Sequence, residues 1–366
     1  MHRQAVVDLA AISGNVATLC KRVRGSQVMA VVKADGYGHG MMPAARAALA
    51  GGATWLGVAD MSEGLALRRA GITAPVLCLM AVGEPADAIA GGIDLTAGSA
   101  AFAAAVAAVA QRAGVPARLQ LKADTGLGRG GATRADWPAL VDAALAAQAR
   151  GLVRVTGLWS HFACADMPGH PSVAAQLAAF ADAVALAEKA GVTPEIRHIA
   201  NTAAGLTVPE SRLDLVRFGG AVYGLSTLPG GAPGWLRPAM TLRARLALVK
   251  RVPPGSGVSY GHRYVTARET RLGLVPLGYA DGVPRAATGL PLVSARGRRW
   301  PVAGTVCMDQ FVVDFGDEPV SEGEEVVLFG PGDDGEATAQ EWGEALATIS
   351  YDIATGIGGR VARVYR

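Results

Sequence analysis

A lysine stands at the end of an apolar run in residues 31–40, which read VVKADGYGHG. Lys33 follows two valines and precedes three glycines, a tyrosine and a histidine. Because lysine strongly prefers water, a place against buried valines needs a chemical reason. A desolvated lysine loses its charge more readily and becomes a nucleophilic amine at neutral pH. The stretch therefore predicts a reactive amine at position 33.

Other unusual residues also lie at or just after apolar runs: the polar residues Arg129, His161, Asn201, Thr202 and Arg217, and the glycine pair Gly219 and Gly220. In an α/β barrel the carboxyl ends of the strands meet at one mouth, which is where such enzymes do chemistry. Thr202 at a helix start and the bare amides of Gly219 and Gly220 suit an anion such as phosphate. A phosphate site beside a lysine with a suppressed charge suggests pyridoxal phosphate held covalently by Lys33.

The elements that must position these residues are eight apolar, strand-like runs separated mostly by alanine-rich, helix-like segments. They span 27–33, 54–59, 75–80, 94–97, 118–124, 155–163, 196–201 and 213–220. Strands that alternate with helices imply right-handed crossovers and a parallel sheet. Eight units within about 200 residues predict a closed (β/α)8 barrel of the TIM type, with a short helix between the third and fourth strands.

The alternation of strand-like and helix-like segments ends at a Pro/Gly-rich linker, LSTLPGGAPGW, at 225–235. Strand-like runs joined by turns follow it, with one helix expected near 338–347, so a mostly β C-terminal domain is predicted. We expect a barrel over 11–232, a β-rich domain over 233–366, and an N-terminal strand within 1–10 that pairs with the β-rich domain.

Composition narrows the function classes. The 366 residues carry a net charge of +3 with scattered basic residues, which disfavours nucleic acid or a membrane surface as partner. The four cysteines have no CxxC spacing, and the N-terminus lacks the form of a secretory signal. The apolar run at 101–110 is too short to span a bilayer, which needs about 20 residues. We expect a cytoplasmic protein with reduced thiols.

Nine motifs, in this order and spacing, resemble the alanine racemase family almost from end to end: VVKADGYGHG, LKADTGLGRGG, SHFACAD, HIANT, VRFGGAVYGL, VSYGHRY, GYADG, GTVCMDQ and ISYDI. The resemblance implies a fold-type III enzyme that uses pyridoxal phosphate to interconvert L- and D-alanine. It also implies a head-to-tail homodimer with shared active sites and no metal.

The resemblance assigns catalytic roles to four residues. Lys33 carries the cofactor and is the base on the D-face, whereas Tyr260 from the partner subunit is the base on the L-face. Racemisation needs two bases on opposite sides of Cα, because a single base tends to return the proton to the face it left. His161 and Arg217 tune the tyrosine, and Arg217 also faces the pyridine nitrogen, which an always-charged guanidinium keeps unprotonated.

Binding roles follow residue by residue from the same resemblance. The phosphate ligands are Tyr37, Thr202, Gly219, Gly220 and Tyr351. The substrate carboxylate contacts Arg129 and Met308, and Lys122 matches a lysine that is often carbamylated. The access corridor matches Asp166, Tyr279 and Arg285.

Two positions depart from the family pattern. Thr305 stands where an arginine is common, which removes a cation near the corridor. Gly220 replaces a common isoleucine, and we expect little change because a backbone amide still serves there.

Several of these residues also have ordinary structural explanations. Tyr260 lies in a common turn sequence, so its role depends on the resemblance. His39 and His198 are expected to be structural, the first at a helix start and the second on the barrel rim. Apart from the resemblance, Lys122 could simply pair with Asp124 or with nothing.

Three other functions compete with alanine racemisation. One is a metal-dependent hydrolase using carbamylated Lys122 with His161 and His198, although no HxH pair ends a strand. Another is a non-catalytic pyridoxal phosphate carrier, which the β-rich domain disfavours. The third is a broader racemase of small amino acids such as serine. Whether the enzyme supplies D-alanine for the cell wall or consumes it, and how tightly it dimerises, stays open.

Overall fold

The computed structural model describes residues 2–366, and its first elements are strand β1 (Arg3–Val7) and helix α1 (Leu9–Arg22). The Asp8 carboxylate caps the helix by accepting a hydrogen bond from Ala11 N at 2.9 Å. Ile12, Val16 and Leu19 are buried at helical spacing, so α1 packs one apolar face onto the core.

Eight parallel strands form the barrel: β2 (Gln27–Val31), β3 (Trp55–Val58), β4 (Val76–Cys78), β5 (Asp94–Ala97), β6 (Ala117–Lys122), β7 (Val153–Trp159), β8 (Ile196–His198) and β9 (Leu215–Phe218). Their order is β8-β7-β6-β5-β4-β3-β2-β9. Two backbone hydrogen bonds join the two ends of this order, β8 and β9, and so close the barrel. They run from Asp214 N to Arg197 O at 3.2 Å and from Arg217 N to Ala200 O at 3.1 Å. The expected α/β barrel is therefore confirmed.

The helical segments of the barrel are α2 (Lys33–Tyr37), α3 (Met41–Ala50), α4 (Met61–Arg69), α5 (Ala86–Ala90), α6 (Ala100–Ala113), α7 (Trp137–Ala149), α8 (Pro171–Ala190) and α9 (Thr202–Thr207). Alanine has the highest intrinsic helix propensity, which explains why the alanine-rich segments are helical. The connection between β4 and β5 holds only the five-residue α5. Single 3₁₀ turns at Pro209–Ser211 and Gly220–Tyr223 complete this part of the chain.

The C-terminal part is mostly β, as expected. Its strands are β10 (Met240–Arg245), β11 (Leu248–Val252), β12 (Gly257–Val258), β13 (Tyr264–Val265), β14 (Thr270–Val275), β15 (Val293–Ala295), β16 (Arg298–Trp300), β17 (Val302–Ala303), β18 (Phe311–Asp314), β19 (Glu325–Phe329) and β20 (Ala362–Tyr365). Helix α10 (Ala339–Ala345) lies in the predicted helical region, whereas α11 (Ser350–Thr355) was not predicted. Single 3₁₀ turns occur at Tyr260–His262, Tyr279–Asp281 and Arg285–Ala287.

Two sheets and a hairpin organise these strands. The six-stranded sheet runs β16-β15-β19-β10-β1-β20, the four-stranded sheet runs β11-β14-β18-β17, and β12 pairs with β13. Strand β1 lies antiparallel to β10 and parallel to β20, so the first strand of the chain is part of the C-terminal sheet. Helix α1 then leads directly from this sheet to the barrel.

Candidate active site

Lys33 begins a left-handed helical turn that connects β2 to α3. Ala34, Asp35 and Tyr37 have φ values of 53°, 51° and 53°, and Gly36 has 64°. A left-handed conformation costs about 1–2 kcal/mol for each non-glycine residue, because Cβ approaches the carbonyl oxygen. Such local strain persists only where surrounding contacts hold it, and it concentrates at functional sites.

Two side chains hold this turn. The Glu63 carboxylate accepts hydrogen bonds from Ala34 N and Ala59 N, both at 2.7 Å. The buried His39 ring places Nδ1 2.9 Å from the Tyr37 carbonyl oxygen, which requires the proton on Nδ1. Neither clamp was predicted, since a glutamate in a helix and a histidine before one carry no distinguishing sequence signal.

The turn opens onto a cleft of about 740 Å³ at the carboxyl ends of the barrel strands. Eleven of the residues predicted for the site line this cleft: Lys33, Tyr37, Lys122, Arg129, His161, Asp166, Thr202, Arg217, Gly219, Gly220 and Tyr351. Tyr260, Met308, Tyr279 and Arg285 do not line it.

The two lysines of the cleft both have lowered pKa values. Burial lowers the pKa of Lys33, and the positive charges of Arg129 and Arg217 lower it further against an opposing effect of Glu63. Burial and the same two arginines lower the pKa of Lys122 to about 8. A lowered pKa makes a neutral, nucleophilic amine available near neutral pH.

Lys122 does not pair with Asp124. The Asp124 carboxylate instead accepts three backbone hydrogen bonds, from Gly126 N, Leu127 N and Gly128 N. The Lys122 amine lies 4.4 Å from the ring centre of Trp159, in cation–π geometry.

Arg217 is buried on β9 and donates hydrogen bonds to four acceptors. They are the Ser160 and Ile199 carbonyl oxygens at 3.0 and 3.1 Å, His198 Nδ1 at 2.8 Å and His161 Nδ1 at 2.9 Å. Burial lowers the pKa of Arg217 to about 9, so the guanidinium stays charged at neutral pH.

The two histidines bound by Arg217 are neutral. Burial and then the Arg217 charge lower the pKa of His161 to about 2 and that of His198 well below its usual value. Because His161 Nδ1 accepts from Arg217, its proton is on Nε2, where it can be donated into the cleft. The expectation that His198 lies on the rim was wrong: its ring is fully buried and both nitrogens are engaged.

Five residues that line the cleft form what we call the anion cradle: Tyr37, Thr202, Gly219, Gly220 and Tyr351. A methyl group on Gly219 would overlap the Tyr37 hydroxyl, and one on Gly220 would overlap the Tyr351 ring. The Thr202 hydroxyl accepts a hydrogen bond from Gly219 N at 3.1 Å. Tyr37 and Tyr351 pack edge to face, with ring centres 5.5 Å apart.

Tyr260 lies in the hairpin between β12 and β13, and 74% of its surface is exposed. Its neighbours Ser259 and His262 have positive φ values of 60° and 41°, so the turn is strained. Met308 is 53% exposed on the same part of the chain. Both side chains are exposed, and neither lines the cleft of its own chain.

The fold and the cleft define a barrel enzyme with a reactive amine, an anion cradle and a buried arginine that orders two neutral histidines. No helix within residues 2–366 is both long enough and apolar enough to cross a membrane. Within the same residues, no three His, Cys, Asp or Glu side chains group in a way that could hold a metal ion.

Comparisons with known proteins place this enzyme in a family. The family models for the N-terminal and C-terminal domains of alanine racemase match residues 7–227 and 239–365. An alanine racemase of Thermobifida fusca is 61% identical over 99% of this chain and 97% of its own length. One from Streptomyces coelicolor is 55% identical over 100% and 96%.

Solved structures agree with this placement. The crystal structure of alanine racemase from D-cycloserine-producing Streptomyces lavendulae superposes with a TM-score of 0.98 at 54% identity, covering 100% of this chain and 97% of that one. The enzyme from Bacillus anthracis superposes with a TM-score of 0.92 at 34% identity, covering 100% and 95%. The chain belongs to the alanine racemase family.

Proposed function

We propose that this enzyme interconverts L- and D-alanine with pyridoxal phosphate bound covalently to Lys33. The observation that carries the proposal is that Lys33 lines the same cleft as the residues of the anion cradle. Membership of the alanine racemase family supports the choice of reaction and substrate.

The residues present fit the cofactor. Gly219 and Gly220 let Tyr37 and Tyr351 approach the backbone closely, and these tyrosines together with Thr202 bring three hydroxyl groups to the cleft, which suits a phosphate. When bound, pyridoxal phosphate withdraws electrons from the amino-acid Cα and so acidifies its proton. Arg217, charged and held by four acceptors, would face the pyridine nitrogen and keep it unprotonated.

Two bases would move the Cα proton. The Lys33 amine, with its lowered pKa, would take the proton from D-alanine or return it on that face. Tyr260 of a second copy would act on the L-face, with its phenol oxygen held by the proton on His161 Nε2. Because Tyr260 is exposed and lies outside its own cleft, this assignment requires a dimer with shared sites. The resemblance to the family implies that the two copies are arranged head to tail.

The remaining groups would bind and orient the substrate. Arg129 at the cleft would hold the substrate carboxylate together with Met308 of the second copy. Lys122 is partly neutral at its pKa of about 8, as carbamylation requires, and a carbamate there would place a negative group near Arg129. Asp166 of the cleft would meet Tyr279 and Arg285 of the second copy at the access corridor.

The proposed physiological role, in the cytoplasm, is either the supply of D-alanine for the cell wall or the breakdown of D-alanine. Broader action on serine is the second candidate, and turnover of L-alanine and L-serine followed by circular dichroism separates the two. The metal-hydrolase alternative is disfavoured because both ring nitrogens of His198 are already engaged.

Trapping the cofactor with borohydride tests the proposal. The reduced adduct should map to Lys33 by peptide analysis, and the yellow colour should be absent in Lys33→Ala. An adduct on another residue, or a colourless wild-type enzyme, would contradict the proposal.

Proton exchange tests the two bases. In deuterated water, Tyr260→Phe should bind pyridoxal phosphate and still exchange the α-proton of D-alanine, while exchange from L-alanine collapses. A carrier without catalysis would show no exchange in the wild type. Unchanged exchange from L-alanine in the variant would remove Tyr260 from the mechanism.

A further inference from the structure

The inside of the barrel holds a continuous chain of hydrogen bonds that begins far from the cleft. Asp94 is buried at the start of β5, and its Oδ2 accepts from Gln120 Nε2 at 3.0 Å and from Thr156 Oγ1 at 2.6 Å. Arg118 Nε lies 2.5 Å from Asp94 Oδ1 and completes an ion pair. Barrel interiors are ordinarily filled by branched apolar side chains, so a buried polar chain here is unusual.

The chain continues through residues of the site. Gln120 Oε1 lies 2.8 Å from His198 Nε2, and His198 Nδ1 lies 2.8 Å from an Arg217 nitrogen. The second terminal nitrogen of Arg217 contacts His161 Nδ1 at 2.9 Å. Five side chains thus connect the start of β5 to the cleft.

Only one arrangement of protons satisfies every link. An ionised carboxylate can only accept, so the Gln120 NH₂ group must face Asp94 and its carbonyl oxygen must face His198. His198 then carries its proton on Nε2, and its bare Nδ1 accepts from Arg217. Arg217 can only donate, so His161 also accepts on Nδ1 and keeps its proton on Nε2.

We propose that Asp94 and Gln120 are positioning residues: the Asp94 carboxylate sets which end of the Gln120 amide faces His198, and so holds the His198 proton on Nε2 and leaves Nδ1 bare to accept from Arg217. Arg217 favours the same His198 tautomer from its own side and, once held there, fixes the tautomer of His161. Neither Asp94 nor Gln120 touches the cleft. This inference depends on the proposed function, in which the proton on His161 Nε2 serves the Tyr260 phenol. Trp159 supports the arrangement by stacking on His198, with ring planes 8° apart and centres separated by 5.6 Å.

The Gln120 amide would lose its fixed orientation if the Asp94 carboxylate were replaced by an amide. In Asp94→Asn either the oxygen or the NH₂ group can face Gln120, so both orientations of the Gln120 amide become available. When the Gln120 NH₂ group faces His198, it requires a bare Nε2, whereas Arg217 requires a bare Nδ1. The His198 proton would therefore be divided between the two nitrogens, and the Nδ1 lone pair would accept from Arg217 only part of the time. At metal sites, mutation of the partners that orient a ligand costs about tenfold to a hundredfold in affinity or activity, and we expect a loss of that order here.

Nitrogen-15 NMR of histidine-labelled enzyme loaded with pyridoxal phosphate reads the tautomers directly. In the wild type, His198 and His161 should each carry the proton on Nε2. A proton on Nδ1 of His198 would overturn the inference, whether or not any variant folds. In Asp94→Asn the His198 proton should be shared between the two nitrogens, and kcat should fall about tenfold or more with little change in KM.

Arg118→Met is the matched control, because it removes the ion pair of Asp94 but keeps the carboxylate that faces Gln120. It should lower thermal stability and leave both tautomers as in the wild type. Wild-type tautomers in Asp94→Asn would overturn the inference even if kcat fell, since the loss would then be structural. Failure of the proposed function is separate: it would appear as no Lys33 adduct or as full L-alanine exchange in Tyr260→Phe.

Discussion

The Thr305 hydroxyl donates a hydrogen bond to the Tyr260 carbonyl oxygen at 3.0 Å. The Thr305 carbonyl oxygen in turn accepts one from Ser259 Oγ at 2.7 Å, so a single residue holds two consecutive residues of the strained turn. At the position where the family resemblance leads us to expect an arginine, the side chain is buried and anchors the backbone of the proposed L-face base.

Thr305→Val should weaken catalysis from the L-face selectively. The variant keeps the shape of the side chain but removes the donor to the Tyr260 carbonyl oxygen, and a small misplacement of a reacting group costs up to about 100-fold. We expect α-proton exchange from L-alanine in deuterated water to fall about tenfold or more, with exchange from D-alanine retained.

Thr305→Ser keeps the hydroxyl and should restore L-alanine exchange close to the wild-type rate. Thr266→Val is the matched control, because its buried hydroxyl also donates to a backbone carbonyl oxygen, that of Pro253 at 2.8 Å. Equal losses from both enantiomers in Thr305→Val would show that Thr305 only stabilises the fold.

Gly220→Ala should weaken cofactor binding. The added methyl group would overlap the Tyr351 ring, so the ring must turn away from the anion cradle. The apparent affinity for pyridoxal phosphate, measured by absorbance titration of the apoenzyme, should therefore be lower than in the wild type. Gly14→Ala is a suitable control, since no atom lies near its added methyl group. Unchanged affinity in Gly220→Ala would show that Tyr351 does not help to bind the phosphate group.

Glu63→Gln should loosen the turn that carries Lys33. The glutamine retains one acceptor but turns an NH₂ group toward the second backbone N–H, and an unsatisfied donor costs about 1–3 kcal/mol. Because Glu63 raises the pKa of Lys33, its neutralisation should lower that pKa further. Thermal unfolding and the pH dependence of Lys33 acetylation in the apoenzyme measure the two effects.

The surface variant Glu344→Gln controls for loss of a negative charge. It should change neither the melting temperature nor the acetylation profile of Lys33. An acetylation profile in Glu63→Gln that moved to higher pH would contradict the electrostatic role of Glu63.

His39 should make the folded state sensitive to acid. Burial lowers its pKa from 6.5 to about 4 in the folded protein. As pH falls through 6.5 the unfolded chain takes up the proton first, so the free energy of unfolding falls by about 3 kcal/mol between pH 6.5 and 4 on account of this residue.

His39→Asn removes the titrating group while an amide can still donate to the Tyr37 carbonyl oxygen. Its free energy of unfolding, from urea titrations at several pH values, should fall less steeply over that range by about the same 3 kcal/mol. His161 and His198 are present in both proteins, so their contributions cancel. Parallel profiles would contradict a neutral, buried His39.

The eight barrel strands were predictable because their apolar runs are separated by alanine-rich segments, and this alternation predicts a parallel sheet. The number of units, eight within about 200 residues, favoured a closed barrel. Seven residues of the cleft could be named from strand positions, since parallel strands bring their carboxyl ends to one mouth: Lys33, Arg129, His161, Thr202, Arg217, Gly219 and Gly220. The other four, Tyr37, Lys122, Asp166 and Tyr351, could be named only from the resemblance to the family. Helix α11, which presents Tyr351, was missed because its six residues show no helical periodicity against the flanking loops.

What the sequence determined by itself was the order of elements and the identity of the reactive groups, because hydrophobic periodicity and residue type are local properties. Only the tertiary structure decided that Lys33 sits on a left-handed turn held by Glu63, and that Asp94 reaches His161 through three side chains. Those contacts join residues far apart along the chain, and their directions depend on hydrogen-bond geometry that exists only once the barrel has closed.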